Sequence, residues 1–159
     1  MTKIGVLSDS HSNLEAVAAI ERKFRDVDYI FHLGDYTEDA LALSGMTKKP
    51  LVIIKGNCDI GSPDGKWEVT PTIAGKKILA CHGHRYQVKS GLTPIAYRGM
   101  ECEADIVLYG HTHHPRIDWD GKRLILNPGA ALRGEYAIIT IDGDTMTPEL
   151  LCISYDSDR

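Results

Sequence analysis

The feature that most constrains this chain is a repeated pairing of a short apolar run with a polar cluster at its C-terminal end. Ile4-Gly5-Val6-Leu7 precedes Ser8-Asp9-Ser10-His11, and Tyr29-Ile30-Phe31-His32-Leu33 precedes Gly34-Asp35. Leu51-Val52-Ile53-Ile54 leads to Gly56-Asn57-Cys58-Asp59, Ile78-Leu79-Ala80-Cys81 to His82-Gly83-His84, and Ile106-Val107-Leu108-Tyr109 to Gly110-His111-Thr112-His113. A sixth run, Leu124-Ile125-Leu126, stops at the turn Asn127-Pro128-Gly129. Short continuous apolar runs suit strands covered on both faces, whereas a sheet with one wet face shows strict alternation. A layered α/β fold is expected.

The intervening segments read as helices and hairpins. Ser12 or Asn13 can cap a first helix that puts Leu14, Val17, Ala18 and Phe24 on one side and runs to about Arg25. Thr37 followed by Glu38 and Asp39 opens a second, and Thr93-Pro94 a third that continues to about Glu103. Asp120-Gly121 and Asp142-Gly143 are hairpin turns. The latter leads to a final strand over 150–155, with Pro148 acceptable only at an edge or a strand start. Residues 61–65 are the most loop-like. With 159 residues and no linker or repeat, one domain spanning 1–159 is expected.

Composition mainly excludes. A formal net charge of −4, with no basic stripe, argues against a large nucleic acid partner. No apolar stretch is long enough to span a bilayer, so no membrane partner is expected. Cys58, Cys81, Cys102 and Cys152 form no Cys-x-x-Cys pair, and no secretory leader precedes them; reduced thiols and a cytoplasmic location follow as expectations.

Residues at the ends of several strands meet on one rim of a sheet. Here that rim collects Asp9, His11, Asp35, Asn57, His82, His84, His111 and His113. Oxygen and imidazole donors without thiolates suit Mn, Fe, Co, Ni or Zn better than Ca or Mg. Eight groups exceed the needs of one ion. Asp9 and His11 would face the same way on an extended strand, as would His111 and His113. Asp35 follows a glycine that permits close backbone approach, and its two oxygens can bridge two cations. Taken singly each residue has a plainer explanation as a turn former or a packed histidine; taken together they point to metal.

The series Asp9-x-His11, Gly34-Asp35, Gly56-Asn57-x-Asp59, His82-Gly83-His84 and Gly110-His111-Thr112-His113 resembles the five-block signature of calcineurin-like metallophosphoesterases. Its order and spacing are most similar to the small bacterial and archaeal phosphodiesterase subgroup, over residues 3 to about 130. The resemblance implies a four-layer αββα sandwich with mixed sheets. It also implies two divalent ions, manganese first, with Ni, Co, Fe or Zn as alternatives. One would sit on Asp9, His11, Asp35 and His113, the other on Asp35, Asn57, His82 and His111. It places His84 at the rim, touching either the substrate or the ligands and not the metal itself, and it implies hydrolysis of a small phosphoester by a metal-activated water. A homodimer or homotetramer accords with it.

Cys58 stands where many members of the wider superfamily carry a histidine that assists the leaving group, so Cys58 is counted with Asp35, Asn57 and His84 among the candidate catalytic residues. His32, inside an apolar run, reads as a packed histidine, and His114 as solvated; Arg133 is either a phosphate contact or a surface residue. The competing reading is a non-catalytic binding scaffold that keeps the fold, as a retromer subunit of similar fold does. A mononuclear structural or redox site is a third.

Overall fold

The apolar runs become the inner strands of two mixed sheets. A computed structural model describes residues 1–153, with β1 (Thr2–Leu7), α1 (Leu14–Lys23), β2 (Tyr29–His32), α2 (Thr37–Met46) and β3 (Leu51–Ile53) in the first half. Then follow β4 (Glu68–Val69), β5 (Thr72–Ile73), β6 (Lys76–Cys81), α3 (Thr93–Glu101), β7 (Ile106–Leu108), β8 (Arg116–Asp120), β9 (Arg123–Asn127), β10 (Glu135–Asp142) and β11 (Thr145–Cys152). One sheet runs β11-β10-β1-β2-β3, parallel from β1 to β3 and antiparallel beyond β1. The other runs β4-β6-β7-β9-β8, with β5 also paired to β6, and is parallel across β6, β7 and β9.

Three separate apolar layers show how the sheets are covered. Between the sheets lie Ile4, Val6, Phe31 and Leu33 from one side and Ile78, Ala80, Ile106, Leu108, Leu124 and Leu126 from the other. The opposite face of the first sheet (Leu7, Ile30, Tyr136) packs on Val17, Ile20 and Phe24 of the first helical segment and Leu43 of α2. The opposite face of the second (Leu79, Cys81, Val107, Ile125) packs on Ile95 and Cys102, at either end of α3. This is the expected order of helix, sheet, sheet, helix. Because each inner strand is apolar on both faces, its sequence shows no alternation. Gly5 belongs to this packing, since a Cβ there would lie 2.8 Å from the Phe24 ring.

Several boundaries differ from expectation. Asn13 caps α1 by accepting from the Ala16 N–H, but the helix stops at Lys23 and α3 at Glu101, each about two residues early. Both hairpin turns are displaced by one residue: Asp120 pairs with Arg123 and Asp142 with Thr145, so Gly121 and Gly143 occupy the first turn position with φ of 62° and 60°. Glycine there, followed by a residue of negative φ, fits a type II′ turn, which keeps the preceding Asp in the strand. The last strand accordingly begins at Thr145 rather than near 150, and residues 154–155 of the expected strand lie outside those described. Pro148 is tolerated because β11 is a sheet edge. All four cysteines are free thiols, and no described helix is long and apolar enough to cross a membrane.

Candidate metal centre

The polar clusters follow the C-terminal ends of β1, β2, β3, β6 and β7, and they do not continue as extended strand. Asp9, His11, Asp35, His111 and His113 all have left-handed backbone, with φ of 55°, 44°, 56°, 71° and 64°. The pairs Asp9/His11 and His111/His113 therefore converge through tight left-handed turns, and the strand-like alternation expected of them is absent. Such backbone costs a non-glycine residue about 1–2 kcal/mol. It persists here because neighbouring groups fix it, a pattern that concentrates at functional sites.

Two carboxylates and four imidazoles meet. Asp9 Oδ1 lies 3.7 Å from His11 Nε2, 3.3 Å from His113 Nε2 and 3.6 Å from His82 Nε2. Asp35 Oδ2 lies 3.6 Å from His11 Nε2 and 3.4 Å from His82 Nε2. The imidazole nitrogens are themselves close: His11 Nε2 to His113 Nε2 is 3.3 Å, and His82 Nε2 to His111 Nδ1 is 3.2 Å. Donor atoms within 4.8 Å of one another form the groups Asp9-His11-His113 and Asp35-His82-His111, and Asp35 recurs in a third with His11 and Cys58. Asp35 thus belongs to groups on both sides, while Asp9 enters only one.

Three observations fit these residues to divalent cations. First, Asp9 is fully buried, and its Oδ1 has no hydrogen-bond partner, although Oδ2 accepts from the Ser8 hydroxyl at 2.7 Å and the His111 N–H at 3.0 Å. A buried carboxylate oxygen left unsatisfied is costly unless something positive is meant to face it. Second, His82 Nδ1 donates to the Leu33 carbonyl at 2.8 Å, which fixes the ring with Nε2 turned toward both carboxylates, where it can serve as a ligand. Third, a Cβ on Gly56 would sit 2.2 Å from Asp35 Oδ1, and one on Gly110 would sit 2.7 Å from Asp9 Oδ2. Glycine is required at both places for the backbone to approach the carboxylates.

The electrostatics agree. Burial opposes the charge on Asp35, but hydrogen bonding and charge from His82, with the Cys58 N–H, hold its carboxyl far below the usual range. Burial likewise disfavours protonated His82, yet the two aspartates outweigh it and raise its pKa. Burial and the nearby His82 push His111 down to about 4. The two carboxylates thus favour the charged form of one imidazole, and burial with that neighbouring charge favours the neutral form of the other.

The remaining candidates are placed less closely. Asn57 is exposed, and its amide nitrogen is 3.8 Å from Cys58 Sγ. His84 is at the rim, its ring 5.5 Å from that of His82 and 6.1 Å from that of His111. Arg133 hydrogen-bonds the His113 carbonyl and pairs with Glu135 at 2.9 Å, so it braces a ligand loop. His114 is exposed and His32 fully buried, as expected.

Sequence reading assigned no bracing role to the groups that hold the loops. Asp59 Oδ1 accepts from the N–H groups of Tyr36 and Thr37 at 2.9 and 2.8 Å, and Oδ2 accepts from Gly56 at 2.8 Å. One carboxylate thereby caps α2 and ties the Asp35 loop to the Asn57 loop. Beneath the site the Gly34 N–H donates to His32 Nδ1, so Nε2–H donates to Ser10 Oγ at 2.9 Å and the Ser10 hydroxyl to Asp39 Oδ2 at 2.6 Å. Asn127, fully buried, donates to the Gly110 carbonyl and to Thr112 Oγ1. The turn at 127–129 therefore braces the His111–His113 loop.

The chain is similar to known proteins. Residues 2–144 match the model of the calcineurin-like phosphoesterase superfamily domain. The chain is 34% identical over 149 residues to the probable metallophosphoesterase YsnB of Bacillus subtilis, covering 89% of this chain and 86% of the relative. It is 27% identical over 154 residues to the phosphodiesterase MJ0936 of Methanocaldococcus jannaschii, covering 80% and 82%. Its fold is that of Chaetomium thermophilum Vps29, with a TM-score of 0.80 at 15% identity over 99% of this chain and 89% of that one. On the family match and the likeness to YsnB, the chain belongs to the calcineurin-like phosphoesterase superfamily.

Proposed function

We propose that this protein is a dinuclear-metal phosphodiesterase acting on small phosphoesters. The observation that carries the reading is the position of Asp35 Oδ2, 3.6 Å from His11 Nε2 and 3.4 Å from His82 Nε2, between two groups of ligands. Asp9, His11, Asp35 and His113 would hold one cation, and Asp35, Asn57, His82 and His111 the other, manganese being the first choice and Ni, Co, Fe or Zn the alternatives. Bound there, the ions supply positive charge to the phosphoryl oxygens and acidify water enough for attack at neutral pH.

The chain's own residues do the rest. The Leu33 carbonyl fixes the His82 tautomer, and the Cys58 N–H, 3.0 Å from Asp35 Oδ1, orients the shared carboxylate. Burial and the Asp35 charge push the Cys58 thiol up, so it stays neutral beside an anionic substrate. A neutral thiol is a weak proton donor, so leaving groups must depart with little help. Esters with acidic leaving groups, such as aryl diesters of nucleotides, are therefore favoured, and the diester class agrees with the name of the M. jannaschii relative. The net charge of −4 favours a small substrate over a duplex.

A scaffold role is the second reading, prompted by the Vps29 fold. The convergence of six ligand side chains favours hydrolysis over it. Apo protein should hydrolyse bis(p-nitrophenyl) phosphate only after manganese is added, and faster than p-nitrophenyl phosphate. No turnover of either ester at full metal loading, with a protein partner still bound, would establish the scaffold instead.

A further inference from the structure

We infer that Trp67, Arg85 and Lys55 form a second anion subsite at the rim of the metal centre, which selects phosphoesters carrying an additional phosphate on the part of the substrate that is not expelled. The inference rests on the metal-site reading and names the substrate class that site would take.

Two loops build it. Beyond β3, the Lys55 N–H donates to the Lys66 carbonyl at 2.8 Å and the Lys66 N–H to the Ile53 carbonyl at 3.2 Å. Gly65, at φ 81°, allows the segment around Lys66 to come this close, since a Cβ there would meet the Ile53 carbonyl oxygen at 2.9 Å. Trp67 is thereby fixed beside the segment that leads into Gly56 and Asn57. From the other side, the turn after His82-Gly83 carries His84 and Arg85 to the same tryptophan. Arg85 Cζ lies 4.2 Å from the Trp67 ring centroid and Lys55 Nζ 5.4 Å, both within cation–π range.

These two cations have no carboxylate within ion-pair distance among the described residues, in a chain of net charge −4. Glu68, next to Trp67 in sequence, is already committed: its carboxylate accepts from the Tyr86 hydroxyl and from Arg98, at 3.1 and 2.8 Å in the latter case. A guanidinium resting on an aromatic ring keeps its in-plane N–H donors free, and that fork matches a phosphate. His84 adds a third donor or acceptor. Its ring is 5.7 Å from Trp67, and its Nδ1 is buried with no partner. A cavity of about 140 Å³ runs from Trp67 and Arg85 past His84 to His82, with the Arg98-paired Glu68 also on its wall.

The test compares thymidine 5′-(p-nitrophenyl phosphate) with the same ester bearing a 3′-phosphate, on the manganese-loaded full chain. Both share the scissile bond and leaving group. The phosphorylated ester should show a kcat/KM about 10-fold higher, and Arg85→Gln or Trp67→Leu should erase that ratio while Lys122→Gln, at an exposed remote lysine, preserves it. Calorimetric binding of thymidine 3′,5′-bisphosphate against thymidine 5′-monophosphate reads the same preference without turnover. If neither ester reacts but the bisphosphate still binds about 10-fold tighter through Arg85, the hydrolase reading fails and the subsite stands. Equal affinities for the two nucleotides, or a preference untouched by Arg85→Gln, would overturn the subsite.

Discussion

At the scale of single residues, Cys58 and His32 have the most testable consequences. Cys58 shares a ligand-sized group with His11 and Asp35, yet burial and the Asp35 charge keep its thiol protonated. Cys58→His would place an ionisable donor at that point, so hydrolysis of esters with alkyl leaving groups should rise roughly 10-fold while aryl esters change little. An unchanged dependence of rate on leaving-group pKa would refute that role. His32 is neutral in the fold because burial depresses its pKa to about 4 against carboxylates that would raise it. The unfolded chain binds a proton at His32 near pH 6.5 and the folded chain does not until about pH 4, so stability is lost as pH falls across that interval. The loss amounts to roughly 3 kcal/mol in all. His82, with its raised pKa, works in the opposite sense and is present in both proteins compared. Denaturation in chelator should therefore show wild type weakening toward pH 4 more steeply than His32→Asn; parallel curves would contradict the assignment. Both residues were visible as types in the sequence, but their environments were not, because burial and neighbouring charge come from other segments.

At the scale of elements, the inner strands were legible because a strand covered on both faces must be apolar without alternation, as Ile106, Val107 and Leu108 are. The shape of the strand ends was not. Nothing in the residue types announces that Asp9, His11, Asp35, His111 and His113 take positive φ, and part of what holds them is long-range, such as the His111 N–H to Asp9 bond. The short strands β4 and β5 also escaped, because two residues are too few for a period. Asp59 shows how far a cap can come from: it serves α2 from beyond β3. Asp59→Ala should lower stability by about 1–3 kcal/mol and weaken metal binding as well, because three N–H groups lose their acceptor. Loss of stability with unchanged metal affinity would show that the two loops are held independently. The β5–β6 hairpin offers a gain. Ala74 and Gly75 occupy its two turn positions with φ of 52° and 80°, a type I′ pattern that favours Asn-Gly. Ala74→Asn should raise the unfolding free energy by about 1 kcal/mol in urea titration, and a decrease would place another constraint on that turn.

At the scale of the whole molecule, two sheets face each other so that the ends of β1, β2 and β3 in one and β6 and β7 in the other present their loops to a common rim. His82 and the His111–His113 loop come from the second sheet, while Asp9, His11 and Asp35 come from the first. Neither sheet alone carries the full set of candidate ligands. The order of motifs pointed to this convergence, but how closely the two half-sites approach depends on the sandwich packing between them. Stoichiometry of manganese binding to the chelator-stripped chain, read by calorimetry and elemental analysis, tests that convergence most directly. Two equivalents per chain, falling to one or none in Asp35→Asn, is the predicted result. A single equivalent in wild type, or two in Asp35→Asn at unchanged affinity, would contradict a centre shared through Asp35.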